Sequence, residues 1–294
     1  MSMLSLVANK VVSKFDIKNR RQEERIKYLE NECSELRQIV RFLQVDSKAW
    51  NEFMAQTRQS FDTQWEQLPE GKGLVTDKEF LDQAINLVEK YTLLNRDWFK
   101  GKKVLDAGCG NGRWSYILSK MGADVTAVDQ SIHGLQNAKK LCSSYPNFKS
   151  AQVNLLEPLP NELGQFDLVW SFGVLHHTGN TYKSFQNIIP LVKTQGMIFL
   201  MLYGEPSQGG EYTEINDYVF HRREISSMNF KNKISYCKNT FAPDLVHGWF
   251  DAISPRVNDL YRFDEIRDWL AMAGFTNINR TFQNRNLFIV AEKK

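Results

Sequence analysis

Residues 104–115, Val-Leu-Asp-Ala-Gly-Cys-Gly-Asn-Gly-Arg-Trp-Ser, constrain what this chain can fold into more than any other stretch. Val104 and Leu105 read as a buried strand, Gly108, Gly110 and Gly112 as a turn, and Trp114 to Leu118 resume with helical spacing. A strand, a glycine-rich turn and a helix start make a nucleotide cradle. Glycine lets the backbone approach a ligand closely, and the free N–H groups of the helix start face it. The glycines fall at every second position, unlike the G-x-G-x-x-G of dinucleotide sites, and Asp106 adds a carboxylate ahead of them.

The segments that follow supply neighbours for that cradle. Residues 123–129 read as a second strand ending in Asp129, about 20 residues beyond the glycines, where an acid in a doubly wound fold accepts hydrogen bonds from ribose hydroxyls. A helix over 132–144 and a strand over 148–155 come next, then a strand over 166–172 that runs into Val174-Leu175-His176-His177-Thr178. Residues 180–195 read as a helix ending near Gly196, and 197–203 as a fifth strand. A helix over 263–273 precedes a hairpin of strands at 278–282 and 287–291, which sets the last strand antiparallel among parallel neighbours.

The glycine loop, the acid after the second strand, the Asp167-Leu168-Val169 and Val174-Leu175-His176-His177 segment and the closing hairpin together resemble the class I S-adenosylmethionine-dependent methyltransferases. The resemblance covers roughly 76–203 and 262–292 and implies a seven-stranded, Rossmann-like α/β sheet. It implies S-adenosylmethionine as cofactor, with contacts from Asp106, Gly108, Gly110, Gly112, Asp129, Asn154, Leu155 and Ser171. Asn154 stands where the family usually has Asp. His176 and His177 are the candidate catalytic bases, since an oxygen or nitrogen acceptor loses a proton and imidazole suits that task. His221, His247 and Asp251 rank below them.

Outside the sheet, Ile26, Leu29, Cys33, Leu36, Val40 and Leu43 alternate three and four apart, the a and d positions of a heptad. The register extends from Val12 to Trp50. Two readings fit, a helix packed on its own domain and an intermolecular coiled coil. The narrow stripe favours the second, as a homo-oligomer, with a dimer preferred. Lys10, Lys14, Lys18, Arg20 and Arg21 are expected to form a solvated face, with contact to a membrane surface the lesser reading. The domain plan is therefore a helix or coil over 1–50, a join over 51–75 and a cofactor domain over 76–294, in which Thr76 and Glu79 cap a helix running to about Phe99. Residues 204–261 form an aromatic-rich insert, read either as a lid over the acceptor site or as a small subdomain with its own core.

Composition excludes several classes. A formal charge of +3 is too small to argue for nucleic acid as the main partner. Four cysteines without C-x-x-C spacing indicate neither zinc nor a disulfide framework, and no metal is expected. No apolar run reaches the roughly 18–20 residues of a membrane span, so the expected location is cytoplasmic. The chain reads as a methyltransferase acting on a small metabolite, sugar or glycan. The alternatives are a non-catalytic scaffold assembled by its coil and an RNA methyltransferase.

Overall fold

The computed structural model describes residues 48–68, 78–205, 208 and 212–294, together with positions 22, 25 and 36. The chain divides into two units, 1–47 and 48–294. In the first, Gln22 and Leu36, both d positions of the heptad register, are helical and exposed. Apart from Arg25, the remainder of the expected coil up to Ser47 lies outside the described residues, as do the basic run over 10–21, the turn around Pro69 to Gly73 and the cap residue Thr76.

The second unit is organised on seven strands: β1 (Lys103–Ala107), β2 (Asp124–Asp129), β3 (Lys149–Gln152), β4 (Phe166–Phe172), β5 (Val192–Leu202), β6 (Phe275–Gln283) and β7 (Leu287–Lys293). They lie in the order β3-β2-β1-β4-β5-β7-β6. β7 runs antiparallel to both β5 and β6, and the pairs from β3 through β5 are parallel. Order reverses between β1 and β4, so a crevice opens at the carboxyl ends of β1, β2 and β4, which is where open α/β sheets bind ligands.

Alternation along the strands explains why both faces of the sheet are covered. Leu105, Val169, Ile198, Leu200 and Ile289 point into one apolar cluster, and Val104, Leu168, Trp170, Phe199 and Phe288 into the other. The second cluster is closed by α2 (Lys78–Thr92), through Leu81, Ala84, Ile85 and Val88, and by α3 (Arg113–Lys120), through Ile117 and Leu118. The first is closed by α5 (Thr181–Ile188) and α9 (Phe263–Met272), through Phe185, Ile188, Ile266 and Leu270. Full burial of each such side chain contributes about 1.5–3 kcal/mol.

Three segments differ from the sequence reading. The helix expected to run to about Phe99 ends at Thr92, where Leu93 takes a left-handed φ of +59°, and Arg96–Phe99 forms a separate 3₁₀ turn. The helix expected over 180–195 ends at Ile188, because Pro190 follows and cannot continue the ladder. Gly196 then lies inside β5 rather than terminating a helix, where its hypothetical Cβ would come 2.9 Å from the Lys193 carbonyl oxygen. In the region read as a join, residues 48–67 form a 20-residue helix, α1 (Lys48–Gln67). It packs on α4 (Ile132–Leu141) and on α8 (Val246–Ile253) of the insert. With α6 (Tyr212–Glu224) and α7 (Phe230–Thr240), α8 builds a small cluster around Ile225, Ile234, Cys237, Val246 and Phe250.

Candidate active site

A cavity of about 230 Å³ opens at the carboxyl ends of β1, β2, β4 and β5, and one of about 50 Å³ adjoins it. Gly108, Asp129, Gln130, Val174, His177 and Thr178 line both. The larger also receives Gly110, Arg113, Trp114 and Phe172 from the sheet side, with Tyr203 from just beyond β5. The smaller receives Val153, Asn154, Leu155 and Leu156 from the end of β3.

The glycine loop turns sharply because Gly108 and Gly110 have φ of +88° and +51°, left-handed values that disfavour any residue with a Cβ. A Cβ on Gly108 would lie 2.3 Å from the Val174 side chain, and one on Gly110 would lie 2.6 Å from the Trp65 indole. One on Gly112 would lie 2.6 Å from Ala138 of α4. Space at Gly110 is therefore taken by the indole of α1, so the loop is close-packed on the protein as well as open to the cavity.

Asp129 ends β2 with its carboxylate tied to the loop. Oδ2 accepts from Gly110 N at 2.8 Å, and Oδ1 from Ser131 N at 2.8 Å. Burial raises its pKa, opposed by these backbone donors. Asp106 is 1% exposed and lines neither cavity; its Oδ2 accepts from Ser115 Oγ at 2.6 Å. Burial, aided by the charge of Asp129, pushes the Asp106 carboxyl up to about 7 against the Ser115 hydrogen bond. Asp106 thus acts beneath the loop, anchoring the start of α3. Ser171 is also buried and donates to the Ala107 carbonyl at 3.0 Å, joining β4 to β1 under the loop. Asn154 Oδ1 accepts from Leu156 N at 3.1 Å, which shapes the turn after β3 beside the smaller cavity.

The two adjacent histidines have different surroundings. His177 Nδ1 donates to the Val257 carbonyl at 3.0 Å, so Nε2 carries the lone pair; it has no hydrogen-bond partner among the described residues. Burial lowers the imidazole to about 4, so it is neutral near pH 7. His176 lines neither cavity and is fully buried, its ring centroid 4.1 Å from those of both His177 and Tyr203. Burial holds it well below the ordinary histidine value.

From the insert, His247, Gly248 and Asp251 complete the larger cavity. Asp251 Oδ2 accepts from Tyr203 Oη at 3.0 Å, and burial with the adjoining carboxylate keeps the phenol protonated. His221 lies away from the cavity, with Nδ1 2.7 Å from Tyr236 Oη inside the insert. The insert therefore has an apolar cluster of its own and also walls the site.

Sequence reasoning missed α1. Met54 and Arg58 line the smaller cavity, and Phe61 and Trp65 the larger. The signal was present as four large side chains spaced four, three and four apart, one stripe of a helix. Among the described residues, no group of three His, Cys, Asp or Glu side chains is placed to hold a metal, and no helix is long and apolar enough to cross a membrane.

Glycine loop, ribose-type acid and β7 placement define a class I S-adenosylmethionine-dependent methyltransferase fold. The residues fit that cofactor: a half-buried carboxylate at the end of β2, a cradle that admits no Cβ, and an adjoining cavity edged by Asn154 and Leu155. Residues 99–244, just under half of the chain, match the family model described as a methyltransferase domain. A ubiquinone biosynthesis O-methyltransferase of Coxiella burnetii is 32% identical over 123 residues, 42% of this chain and 53% of the relative. Methyltransferase str3 of Strobilurus tenacellus is 34% identical over 141 residues, 47% and 45% of the two chains. This chain thus spans about half the length of these curated relatives. Among solved structures, the DhpI–SAH complex superposes with a TM-score of 0.51 at 16% identity, over 82% of this chain and 96% of that one. An O-methyltransferase family protein from Burkholderia thailandensis gives 0.51 at 13% identity, over 76% and 63%. At such identities these two likenesses speak for the fold.

Proposed function

We propose that this protein transfers a methyl group from S-adenosylmethionine to an oxygen or nitrogen of a small metabolite, sugar or glycan. The observation that carries the reading is one cavity lined jointly by the glycine loop, Asp129, His177 and Asp251. When bound, S-adenosylmethionine supplies a methyl group already activated for displacement. Asp129 holds the ribose hydroxyls, the glycine loop the methionine end, and Asn154 and Leu155 the adenine edge. The protein's main task is then to align donor and acceptor, which can account for about 7–11 kcal/mol of a barrier.

Two groups are placed to receive the acceptor's proton. His177 lines the cavity with its unprotonated Nε2 buried and fixed by the Nδ1 hydrogen bond, and Asp251 is oriented by Tyr203. With an imidazole at about 4, His177 is a hydrogen-bond acceptor that orients a hydroxyl more than a strong base. Its neutral form persists above that pH, so the rate should show no histidine limb near 6.5 and should fall only as pH drops toward 4. His176 supports this pair by packing against Tyr203 and His177.

The amino-terminal heptads, in this reading, associate two copies of the chain. Leu36 supports it, since this d-position leucine is 57% exposed in the single chain. Leu29→Glu with Leu36→Glu should give a monomer by sedimentation with unchanged donor affinity; a wild type that is already monomeric at micromolar concentration contradicts the seam.

The test of function is incubation with methyl-labelled donor and fractionated extracts, with Asp129→Ala as the blank. Label in a small-molecule fraction, lost in the blank, is the expected result. Donor binding with no labelled product would favour the scaffold, and label in RNA the RNA methyltransferase.

A further inference from the structure

Helix α1 is held on two of its faces and lines the cavities with a third. One face meets α4: Asp62 accepts from Ser131 Oγ at 2.5 Å and lies 2.9 Å from His133 Nδ1, and Asn137 Nδ2 donates to the Trp65 carbonyl at 2.9 Å. A second face meets α8 and the residues after it through buried polar side chains. Ser60 Oγ lies 2.7 Å from Ser254 Oγ, Thr57 Oγ1 accepts from Val257 N at 2.9 Å, and Gln64 Nε2 donates to His247 Nε2 at 2.7 Å. The third face carries Met54, Arg58, Phe61 and Trp65, and all four line the two cavities. Its two ends rest on separate parts of the floor. The Trp65 indole closes over Gly110, and Met54 over Gly179, whose carbonyl accepts from Trp50 Nε1 at 3.1 Å.

We propose that α1 is half of the donor site. Trp65 covers the amino-acid end of the cofactor at the glycine loop, and Met54 with Arg58 covers the adenosine end beside Asn154 and Asp129. The inference rests on the donor reading above and adds to it residues that lie outside the matched domain, which begins at residue 99. Its physical basis is complementary chemistry. A sulfonium nucleoside presents apolar ring surface and scattered charge, and this face of α1 offers an indole, a thioether and one guanidinium.

The test is calorimetry on the full chain with two probes, S-adenosylhomocysteine and 5′-methylthioadenosine, the second lacking the amino-acid end. Trp65→Ala should weaken S-adenosylhomocysteine about tenfold or more while changing methylthioadenosine less than about threefold. Met54→Ala combined with Arg58→Ala should weaken both probes by a similar factor. Trp65→Phe, which keeps a ring and guards against a variant that fails to fold, should restore most of the lost affinity. Wild-type affinities in both sets of variants would overturn the proposal, as would a Trp65→Ala defect equal for the two probes. Failure of the wild type to bind S-adenosylhomocysteine would instead overturn the donor reading itself.

Discussion

On the sheet side of the cavity, the glycine loop stands on Val104, Leu105, Ala107 and Val128, all fully buried, and each carboxylate beneath or beside it is tied to backbone or to Ser115. On the opposite side, α1 and residues 246–257 are joined by hydrogen bonds between Ser60, Gln64, Thr57 and their partners and by the Trp65–His247 ring contact. Burial of a Val or Leu contributes about 1.5–3 kcal/mol, whereas a typical internal hydrogen bond contributes about 0.5–1.5 kcal/mol net. The floor is therefore part of the global core. The cover is held across the cavity largely by the weaker kind of contact, so it is the wall expected to part first if a ligand is to pass.

The largest expected effect lies on the floor. In the proposed donor site, Asp129→Ala would remove the acceptor for two ribose hydroxyls and should weaken S-adenosylhomocysteine about a hundredfold or more in calorimetry, at two charge-assisted bonds of about 1.5 kcal/mol each. A fall of less than about threefold would place the ribose elsewhere.

Asp106 should reveal itself through pH. Its carboxyl sits at about 7 in the fold and near 3.8 in the unfolded chain. The folded state therefore holds the proton more tightly. The contribution is fully present below about pH 4 and is lost as pH rises through about 7, a change of roughly 4 kcal/mol in the limit. Relative to Asp106→Asn, the wild type should lose melting temperature steadily between those limits; parallel profiles would contradict the burial account.

A smaller effect links the two walls. Gly110→Ala places a methyl group against the Trp65 indole at a left-handed position. Part of its stability loss should be relieved by adding Trp65→Ala, with a coupling of about 0.5–3 kcal/mol in a double-mutant cycle. Strict additivity would mean that α1 does not press on the loop. The smallest effect belongs to the cover alone: Ser60→Ala leaves buried Ser254 Oγ without this partner, and should lower stability by about 1–2 kcal/mol.

The same contrast governs how much could be read from the sequence. The floor is written in features that survive without a structure: the apolar strand over 166–172, three glycines in five residues, and Asp129 closing the second strand. The cover is not. The buried face of α1 is Thr57, Ser60 and Gln64, residues that count as polar in any periodicity, so the helix passed for a join. Trp65 and Asp251 come from segments about 40 residues before and 140 after the glycine loop, and only folding brings them to Gly110. His176 and His177 looked equivalent as neighbours; a single 3₁₀ turn at Leu175–His177 puts one ring at the cavity and the other into the core. Pro190 does carry a signal, since it stops the helix that the apolar pattern continues.

Hydrogen exchange with and without S-adenosylhomocysteine tests both walls at once, on the unmodified chain. The account predicts slowed exchange in two separate stretches, 104–131 on the floor and 48–68 in α1, because the ligand is held between them. Protection confined to 104–131, with α1 exchanging at its free rate, would contradict a donor site built from floor and cover together.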